Sequence, residues 1–343
     1  MTSSTATIAA GRDATGPIAL RVRDLRVHYH TPRGAVKAVD GVSFDLTAGE
    51  RLGLVGESGS GKSTIALALM RLIKPPGRIE GGQVLLAGTD LLAQTEERMR
   101  QLRLAGIAMI AQGAMNSLNP VRRVRDQIVD AFADHGQAVS RSETNARIGA
   151  LLESVGLRPD AARLYPHELS GGMKQRVVTA IAISLRPKVI IADEPTSALD
   201  VVVQRQIMQT LLRVQEDLGA AVILIGHDMG LMAQFVTRLG VMYSGKLVEL
   251  CPARSMFEEP LMPYSQLLIA SLPSLNRKDE LRGIPGLPPS LLDRPDGCPF
   301  RTRCPHAFDR CAVEEPALLE RRPAHWAACH LLDGEGGSDG TAP

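Results

Sequence analysis

The distribution of apolar residues along the chain separates stretches of different predicted structure. Residues 18 to about 90 are strand-rich, with the segments IALRVRDLRVHY, AVDGVSFDL and ERLGLVG. Two later apolar runs that are rich in β-branched residues, VIIAD and AAVILIG, predict buried parallel strands. Residues 91–186 have a mainly helical pattern. The sequence therefore predicts an α/β core that spans residues 18–250 and carries a helical subdomain.

Beyond Cys251 the pattern changes, because prolines become frequent and regular periodicity fades. We interpret residues 251–332 as an appended module rather than a continuation of the core. Residues 1–17 and the Gly-rich residues 333–343 show neither periodicity nor apolar runs. Both ends are predicted to be disordered tails.

Composition narrows the class of protein without deciding its chemistry. The chain has 343 residues, of which 44% are hydrophobic, and a net charge of +2, which suits a globular protein of about two domains. The near balance of charge argues against a nucleic-acid partner. No run of 18 apolar residues exists, and the N-terminus lacks a secretory pattern, so we expect a cytosolic chain with reduced or metal-bound cysteines.

The segment GESGSGKST, residues 56–64, matches a phosphate loop of the form G-x-x-x-x-G-K-S. It follows an apolar strand and leads into TIALALMRLI, which is the strand–loop–helix context that such a loop requires. Backbone N–H groups would surround phosphate oxygens, Lys62 would neutralise the β/γ charge and Ser63 would bind Mg²⁺. The other candidate phosphate-binding residues in this segment are Gly56, Ser58, Gly59, Gly61 and Thr64.

Two further motifs follow in an order that suits nucleotide hydrolysis. Asp193 and Glu194 end the strand VIIAD, where one acid can bind Mg²⁺ and the other can orient or deprotonate an attacking water. Ser170, Gly171 and Gly172 precede the helical stretch MKQRVVTAIAISL, and a glycine-rich helix N-terminus favours close contact with a phosphate. Together the three motifs predict ATP and Mg²⁺ as ligands.

In this order the motifs resemble those of the ATP-binding-cassette ATPases, over residues 18–250. The resemblance implies an α/β P-loop cassette in which Glu194 is the catalytic carboxylate and His227 contacts the γ-phosphate. It also implies that Tyr29 stacks on adenine and that Gln112 lies in the loop linking Mg²⁺ to the transporter. SALD would be the subunit-communication segment. In this family SGG completes the ATP site of the opposite subunit, so hydrolysis requires a dimer.

Other segments resemble the dipeptide/oligopeptide importer branch: YPHELSGGMKQR, MNSLNP, PYSQLLIASLPSL, IPGLPPSL and CPFRTRCPHAFDRC. That resemblance implies a second ATPase subunit, two membrane permeases and an extracytoplasmic peptide-binding protein as partners, at the cytoplasmic face of the inner membrane. Three alternatives stay open: import of nickel or other small cargo, a soluble cassette ATPase of translation or DNA repair, and a metal-sensing regulator.

Four of the five cysteines gather in the C-terminal module: Cys298, Cys304, Cys311 and Cys329. Four thiolates can bind a 4Fe–4S cluster or Zn²⁺. Their separations lack the tight C-x₂₋₄-C pairs of zinc sites, so the spacing favours a cluster, with zinc and plain thiols as alternatives. His325 and His330 could substitute as ligands, and otherwise we expect both to be surface histidines.

Overall fold

The computed structural model describes residues 16–137, 140–197, 199–272 and 283–333. Most of the two predicted tails, residues 1–15 and 334–343, therefore lies outside the described residues. Pro17 is attached to the core, because its carbonyl oxygen accepts a hydrogen bond from the N–H of Ala48 at 2.9 Å. Asp333 is also attached, since it forms ion pairs with Arg310 and Arg321. No helix in the described ranges has the length and hydropathy needed to span a bilayer.

Strands and helices alternate along the chain in the order of a mixed α/β protein. The strands are β1 (Ile18–Thr31), β2 (Gly34–Thr47), β3 (Arg51–Val55), β4 (Gly77–Leu86), β5 (Thr89–Asp90), β6 (Ile107–Ile110), β7 (Val189–Asp193), β8 (Ala221–Ile225), β9 (Arg238–Tyr243), β10 (Lys246–Pro252), β11 (Leu319–Arg322) and β12 (His325–Ala327). The helices are α1 (Lys62–Leu69), α2 (Glu96–Leu102), α3 (Val124–Ala133), α4 (Arg141–Ser154), α5 (Gly171–Ile183), α6 (Val201–Leu218), α7 (Met229–Phe235), α8 (Ala253–Glu258), α9 (Pro263–Ala270) and α10 (Asp309–Val313).

The strands form two sheets. Four antiparallel strands make the first, in the order β2-β1-β4-β5, and eight make the second, in the order β11-β12-β10-β9-β3-β8-β7-β6. Strands β9, β3, β8, β7 and β6 of the second sheet run parallel to one another. Every residue of β7 and β8 is buried. This explains why VIIAD and AAVILIG read as continuous apolar runs rather than as alternating ones.

The helical subdomain is smaller than the predicted range of residues 91–186, because that range contains β6. Residues 107–110 (IAMI) pair in parallel with β7 and form the edge of the large sheet. Four residues are too few to reveal a strand period inside a helical pattern. The helices α3, α4 and α5 follow β6, and their apolar faces share one core that includes Ile128, Leu152 and Val177.

The C-terminal module is continuous with the core rather than appended to it. Strand β12 pairs with β10 through Glu249 opposite Ala327 and Leu250 opposite Trp326, and β11 pairs with β12. The hairpin thus extends the large sheet by two strands. The predicted boundary after residue 250 falls inside β10, so the second domain has no separate sheet of its own among the residues that the structure describes.

Candidate active site

The phosphate loop, residues 56–61, connects β3 to α1, as the sequence predicts. All three of its glycines adopt backbone conformations that L side chains rarely take, with φ of 144° at Gly56, 77° at Gly59 and 103° at Gly61. A Cβ atom on Gly56 would lie 2.2 Å from the carbonyl oxygen of Met242, and one on Gly61 would lie 2.1 Å from that of Ala38. The loop therefore packs against its neighbours at distances that only glycine allows.

Lys62 begins α1, and its ammonium group is buried against the loop. Its Nζ donates hydrogen bonds to the carbonyl oxygens of Gly56 at 2.7 Å and Glu57 at 3.0 Å. Burial lowers the pKa of Lys62, whereas the carboxylates of Glu194 and Asp193 act in the opposite direction. A cation with this environment can exchange backbone carbonyls for phosphate oxygens, whose negative charge compensates its burial.

Ser58 and Gly59 form an exposed tip, and Thr64 is half-buried in the first turn of α1. The Oγ of Ser63 donates to Oδ1 of Asp193 at 3.1 Å. Burial raises the pKa of Asp193, and the hydrogen bond from Ser63 partly offsets that effect. The hydroxyl and the carboxylate together offer two oxygen ligands to one Mg²⁺.

Gln112, Glu194 and His227 come from three separate segments and meet beyond the ends of β6, β7 and β8. The Nε2 of Gln112 donates to Oε2 of Glu194 at 2.7 Å, and Nδ1 of His227 lies 3.5 Å from Oε1 of Glu194. Glu194 has a left-handed backbone, with φ of 45°, and its N–H donates to the carbonyl oxygen of Ile225 at 2.9 Å. Such strain in a non-glycine residue is typical of functional sites.

The SGG motif begins α5 at the edge of the helical subdomain. Ser170 caps the helix, because its Oγ accepts a hydrogen bond from the N–H of Met173 at 3.3 Å. Ser170 and Gly171 are exposed, and Gly172 is half-buried. The N-terminus of this 13-residue helix is therefore accessible to an anion outside the molecule.

The predicted communication segment SALD leads from Glu194, the predicted catalytic carboxylate, into α6. The N–H of Ser197 donates to the carbonyl oxygen of Glu194 at 3.1 Å. Asp200 caps α6 by accepting a hydrogen bond from the N–H of Val203 at 3.0 Å. Ala198 lies outside the described residues.

Tyr29 lies in the first sheet, opposite Val36 of β2 and Gly77 of β4. A Cβ atom on Gly77 would lie 2.7 Å from the Tyr29 ring, so the ring packs over that glycine. The side chain is half-buried. Its stacking on adenine stays a prediction.

The four cysteines of the C-terminal module lie near one another. The N–H of Cys298 donates to the carbonyl oxygen of Cys311 at 2.9 Å, and the pKa of Cys298 is influenced by the other three thiols. Burial raises the pKa of Cys298 and of Cys329 to about 11, and also raises that of Cys304. Each of these three increases is partly offset by a backbone hydrogen bond at the residue two positions further along, namely Phe300, Leu331 and His306.

The two histidines that were alternative metal ligands are buried rather than on the surface, so that expectation is wrong. His325 is 3% exposed, and its Nε2 lies 2.7 Å from Oε1 of Glu249. His330 is 7% exposed, and its ring contacts the carbonyl oxygen of Glu314 and a carboxylate oxygen of Asp333. Both buried imidazoles have polar partners, which explains how they are accommodated in the core.

The C-terminal module contacts the phosphate loop, and the sequence patterns did not predict this contact. Arg303 of the C-terminal module forms a two-point ion pair with Glu57, and Tyr264 of α9 accepts a hydrogen bond from the N–H of Glu57 at 3.0 Å. Glu57 occupies a variable position of the loop motif, and Arg303 is 246 positions away. No local pattern connects the two residues.

Comparison with known proteins agrees with this geometry. The family profile described as ABC transporter matches residues 39–197, and the profile described as oligopeptide/dipeptide transporter, C-terminal region, matches residues 248–311. The dimeric structure of MJ0796, a bacterial ABC transporter cassette, superposes with a TM-score of 0.61 at 27% identity and covers 68% of this chain and 99% of that one.

Curated relatives match over almost the whole length. The dipeptide transport ATP-binding protein DppD of Escherichia coli (strain K12) is 44% identical over 321 residues, which cover 92% of this chain and 98% of DppD. The oligopeptide transport ATP-binding protein OppD of the same strain is 45% identical over 314 residues, which cover 90% of this chain and 92% of OppD. The chain therefore belongs to the ABC transporter ATPases, in the branch of the dipeptide and oligopeptide transport ATP-binding proteins.

Proposed function

We propose that this chain hydrolyses ATP to power the import of dipeptides or oligopeptides through an inner-membrane ABC transporter. The proposal rests on one observation: Glu194 contacts both Gln112 and His227 beyond the ends of strands β6, β7 and β8. Its relatives at 44–45% identity carry the names of dipeptide and oligopeptide transport ATP-binding proteins. The same relatives support a location at the cytoplasmic face of the membrane.

In the proposed reaction, the loop N–H groups and Lys62 bind the ATP phosphates. Ser63 and Asp193 would hold Mg²⁺, which neutralises charge on the phosphate oxygens. Glu194 orients the attacking water and accepts its proton while a bond forms from the water oxygen to the γ-phosphorus. The bond to the β,γ-bridging oxygen breaks, and ADP leaves with that oxygen. His227 stabilises charge on the γ-phosphate.

The proposed site is completed by a second ATPase subunit. Ser170 and Gly171 stand exposed at the N-terminus of α5 and are suited to bind phosphate from outside their own subunit. The similar cassette MJ0796 is dimeric, also in a post-hydrolysis state bound to ADP and Pi. We therefore assign SGG to the ATP site of the opposite subunit.

Docking on two permeases is supported by a groove beside the loop that carries Gln112. The groove has a volume of about 380 Å³ and is lined by residues on both sides of that loop, among them Met109, Leu118 and Arg122. Val121 projects next to it and is 80% exposed. An apolar side chain of this exposure beside a concave surface suits a short helix of a partner.

Peptide uptake in cells tests the cargo directly. The gene is deleted from the organism that encodes it, and the strain is complemented with the wild-type chain or with Glu194→Gln. Wild type should restore uptake of a labelled dipeptide or oligopeptide, and Glu194→Gln should not. Restored uptake of nickel without peptide uptake would favour the small-cargo alternative. Normal uptake of both in the deletion strain, with ribosomes or DNA co-purifying with the chain, would favour a soluble ATPase.

We further propose that the four-cysteine cluster (Cys298, Cys304, Cys311, Cys329) binds a 4Fe–4S cluster. Burial raises the pKa of three of these thiols, backbone hydrogen bonds at the sulfurs partly offset that increase, and hydrogen bonds to the sulfurs are a feature that tunes such clusters. Within the described ranges, no three of these sulfurs lie within 4.8 Å of one another. Zinc, with bonds of about 2.3 Å, would require sulfurs roughly 4 Å apart, which this arrangement does not provide for any three of them.

Metal analysis of anaerobically purified protein tests this assignment. We expect broad visible absorption and about four irons with matching sulfide per chain. Cys304→Ser should lose both, whereas Cys251→Ser should keep them, because Cys251 is buried beside Glu249 and His325. One zinc per chain would favour a structural zinc site, and absence of any metal would contradict both.

A further inference from the structure

The segment between Cys298 and Cys304 reaches from the C-terminal module to the phosphate loop. Arg303 Nη1 donates to Oε2 of Glu57 at 2.6 Å, and Nη2 donates to Oε1 at 2.9 Å. The Nε of Arg303 donates to the carbonyl oxygen of Pro285 at 2.7 Å, and the side chain is only 3% exposed. The side chain of Glu57 is 26% exposed, so the pair is partly buried, and its two-point geometry makes it specific in orientation.

Glu57 is held by hydrogen bonds to its backbone as well as by the ion pair of its side chain with Arg303. Its N–H donates to the hydroxyl of Tyr264 at 3.0 Å. Its carbonyl oxygen accepts hydrogen bonds from Nζ of Lys62 at 3.0 Å and from the N–H of Ser60 at 3.2 Å. The residue that Arg303 holds is therefore one of the two residues whose carbonyl oxygens position the ammonium of Lys62, the other being Gly56.

An aromatic cluster restricts the movement of Arg303 and Tyr264, the two residues that hold Glu57. The rings of Tyr264, Tyr243 and Phe300 pack with centroid separations of 4.5, 5.2 and 5.3 Å. All three side chains are fully buried, and Tyr243 ends strand β9 of the core sheet. Arg303 also donates to the hydroxyl of Tyr243 at 3.4 Å. Movement of the module would thus change the position of Glu57.

We propose that Arg303 and Tyr264 are positioning residues for the phosphate loop, so that ATP binding by the cassette depends on the C-terminal module. The inference rests on the phosphate loop being the ATP site, as proposed above. Neither residue belongs to the ATP-site motifs of the cassette, and neither is needed to bind the ATP phosphates directly. Their effect is on the shape of the loop and on the place of Lys62. Linkage requires the reverse effect as well, so ATP should stabilise the contact between the loop and the module.

ATP affinity of the full-length chain is the direct test. Arg303→Met should weaken ATP binding about tenfold, which corresponds to about 1.4 kcal/mol. It should raise KM for ATP and leave kcat at saturating ATP within about twofold, since positioning of the loop affects binding before the chemical step. Arg303→Lys, which keeps the charge but not the fork, should recover part of the affinity. Arg301→Met is the matched control, two positions away on the same segment, and should bind ATP as the wild type does.

Two further variants keep the test decisive. Tyr264→Phe keeps the ring packing and removes only the hydroxyl, so it should fold normally and weaken ATP binding by about threefold. Lys62→Ala should abolish binding if the phosphate loop is the ATP site. Normal ATP affinity of Lys62→Ala would overturn the proposed function, whereas normal affinity of Arg303→Met beside a defective Lys62→Ala would overturn this inference alone.

Hydrogen exchange gives a readout that does not depend on activity. Bound ATP should slow amide exchange severalfold in residues 299–304 of the wild-type chain, and less so in Tyr264→Phe. If Arg303→Met fails to fold, the proposal is tested by hydrogen exchange in the wild-type chain and by the ATP affinity of Tyr264→Phe. Unchanged exchange in the wild type together with normal ATP affinity of Tyr264→Phe would overturn the proposal.

Discussion

At the scale of single residues, the two oxygens of Glu194 have different partners. Gln112 donates to Oε2, whereas Oε1 faces the imidazole of His227. The amide fixes the rotation of the carboxylate, and the imidazole lies on the side that is open to solvent, with 74% of its side chain exposed. One oxygen therefore serves orientation while the other is available to water.

Replacing Glu194 with glutamine should separate hydrolysis from binding. The amide keeps the shape of the side chain but cannot accept a proton, so kcat should fall by at least about 100-fold. ATP affinity should stay within about threefold, because Lys62 and the loop are unchanged. Phosphate release and nucleotide fluorescence titration measure the two effects. Wild-type hydrolysis by Glu194→Gln would remove this residue from the reaction.

Asp40 connects the first sheet to the C-terminal module. Burial alone would raise the pKa of its carboxyl, but Arg294 and Lys246 outweigh that effect and lower the pKa from 3.8 to about 2. The Oδ2 atom lies 2.6 Å from Nη2 of Arg294 and 3.2 Å from Nζ of Lys246. The ionised carboxylate therefore contributes stability that is fully present above its ordinary pKa.

Asp40→Asn should consequently destabilise the chain by about 2 kcal/mol at pH 7. Because the folded-state pKa lies below the unfolded one, the difference from wild type should shrink as the pH falls from about 4 towards 2. Urea unfolding at several pH values between 7 and 3 measures it. A difference that does not change with pH would show that the substitution acts through packing instead.

Glu194 is predictable from its position at the end of an apolar strand, whereas Gln112 and His227 follow from the resemblance to the ATP-binding-cassette ATPases. The structure brings the three residues together. Arg303 could not be found in this way, because its partner Glu57 lies in a distant segment. The burial of His325 and His330 also depends on long-range packing, so no pattern in the neighbouring sequence predicts it.

At the scale of elements, a buried carboxylate connects three segments. Glu249 of β10 is fully buried, and its oxygens accept hydrogen bonds from the N–H groups of Leu261 and Met262 at 2.7 and 3.1 Å. His325 of β12 completes the set at 2.7 Å. The pairing of the hairpin with the core sheet thus depends on one side chain as well as on the backbone ladder.

Glu249→Ala should therefore destabilise the chain by about 3 kcal/mol, since it leaves two N–H groups and an imidazole buried without a partner. Glu259→Ala is the matched control, because its pair with Arg322 is exposed on both sides. The control should change the free energy of unfolding by less than about 0.5 kcal/mol. Equal effects in the two variants would contradict the role assigned to the buried carboxylate.

The long elements of the fold were predictable, and the short ones were not. Strands β7 and β8 are fully buried, so their composition alone indicates them. Strand β6 reads IAMI, which is apolar but too short to show a strand period, and β11 reads LERR with no residue buried. Both are strands because they pair with a neighbour that lies far away or across a turn.

At the scale of the whole molecule, the surface beside Gln112 is the proposed permease contact. Val121→Asp should reduce peptide uptake in cells about tenfold, because a charge beside the groove of the proposed docking surface opposes association. The ATPase activity and the melting temperature of the isolated chain should not change, since the side chain is 80% exposed. Val313→Asp, at a side chain of the same exposure in the C-terminal module, is the control. Normal uptake with Val121→Asp would place the contact elsewhere.

The most direct test of the proposed function is ATP hydrolysis by the chain in proteoliposomes that also contain the proposed partners, namely two permeases, a second ATPase subunit and a peptide-binding protein. We predict that peptide-loaded binding protein stimulates hydrolysis severalfold, that labelled peptide accumulates in step, and that Glu194→Gln abolishes both. Hydrolysis that is indifferent to peptide, with no accumulation inside the vesicles, would contradict the proposed function.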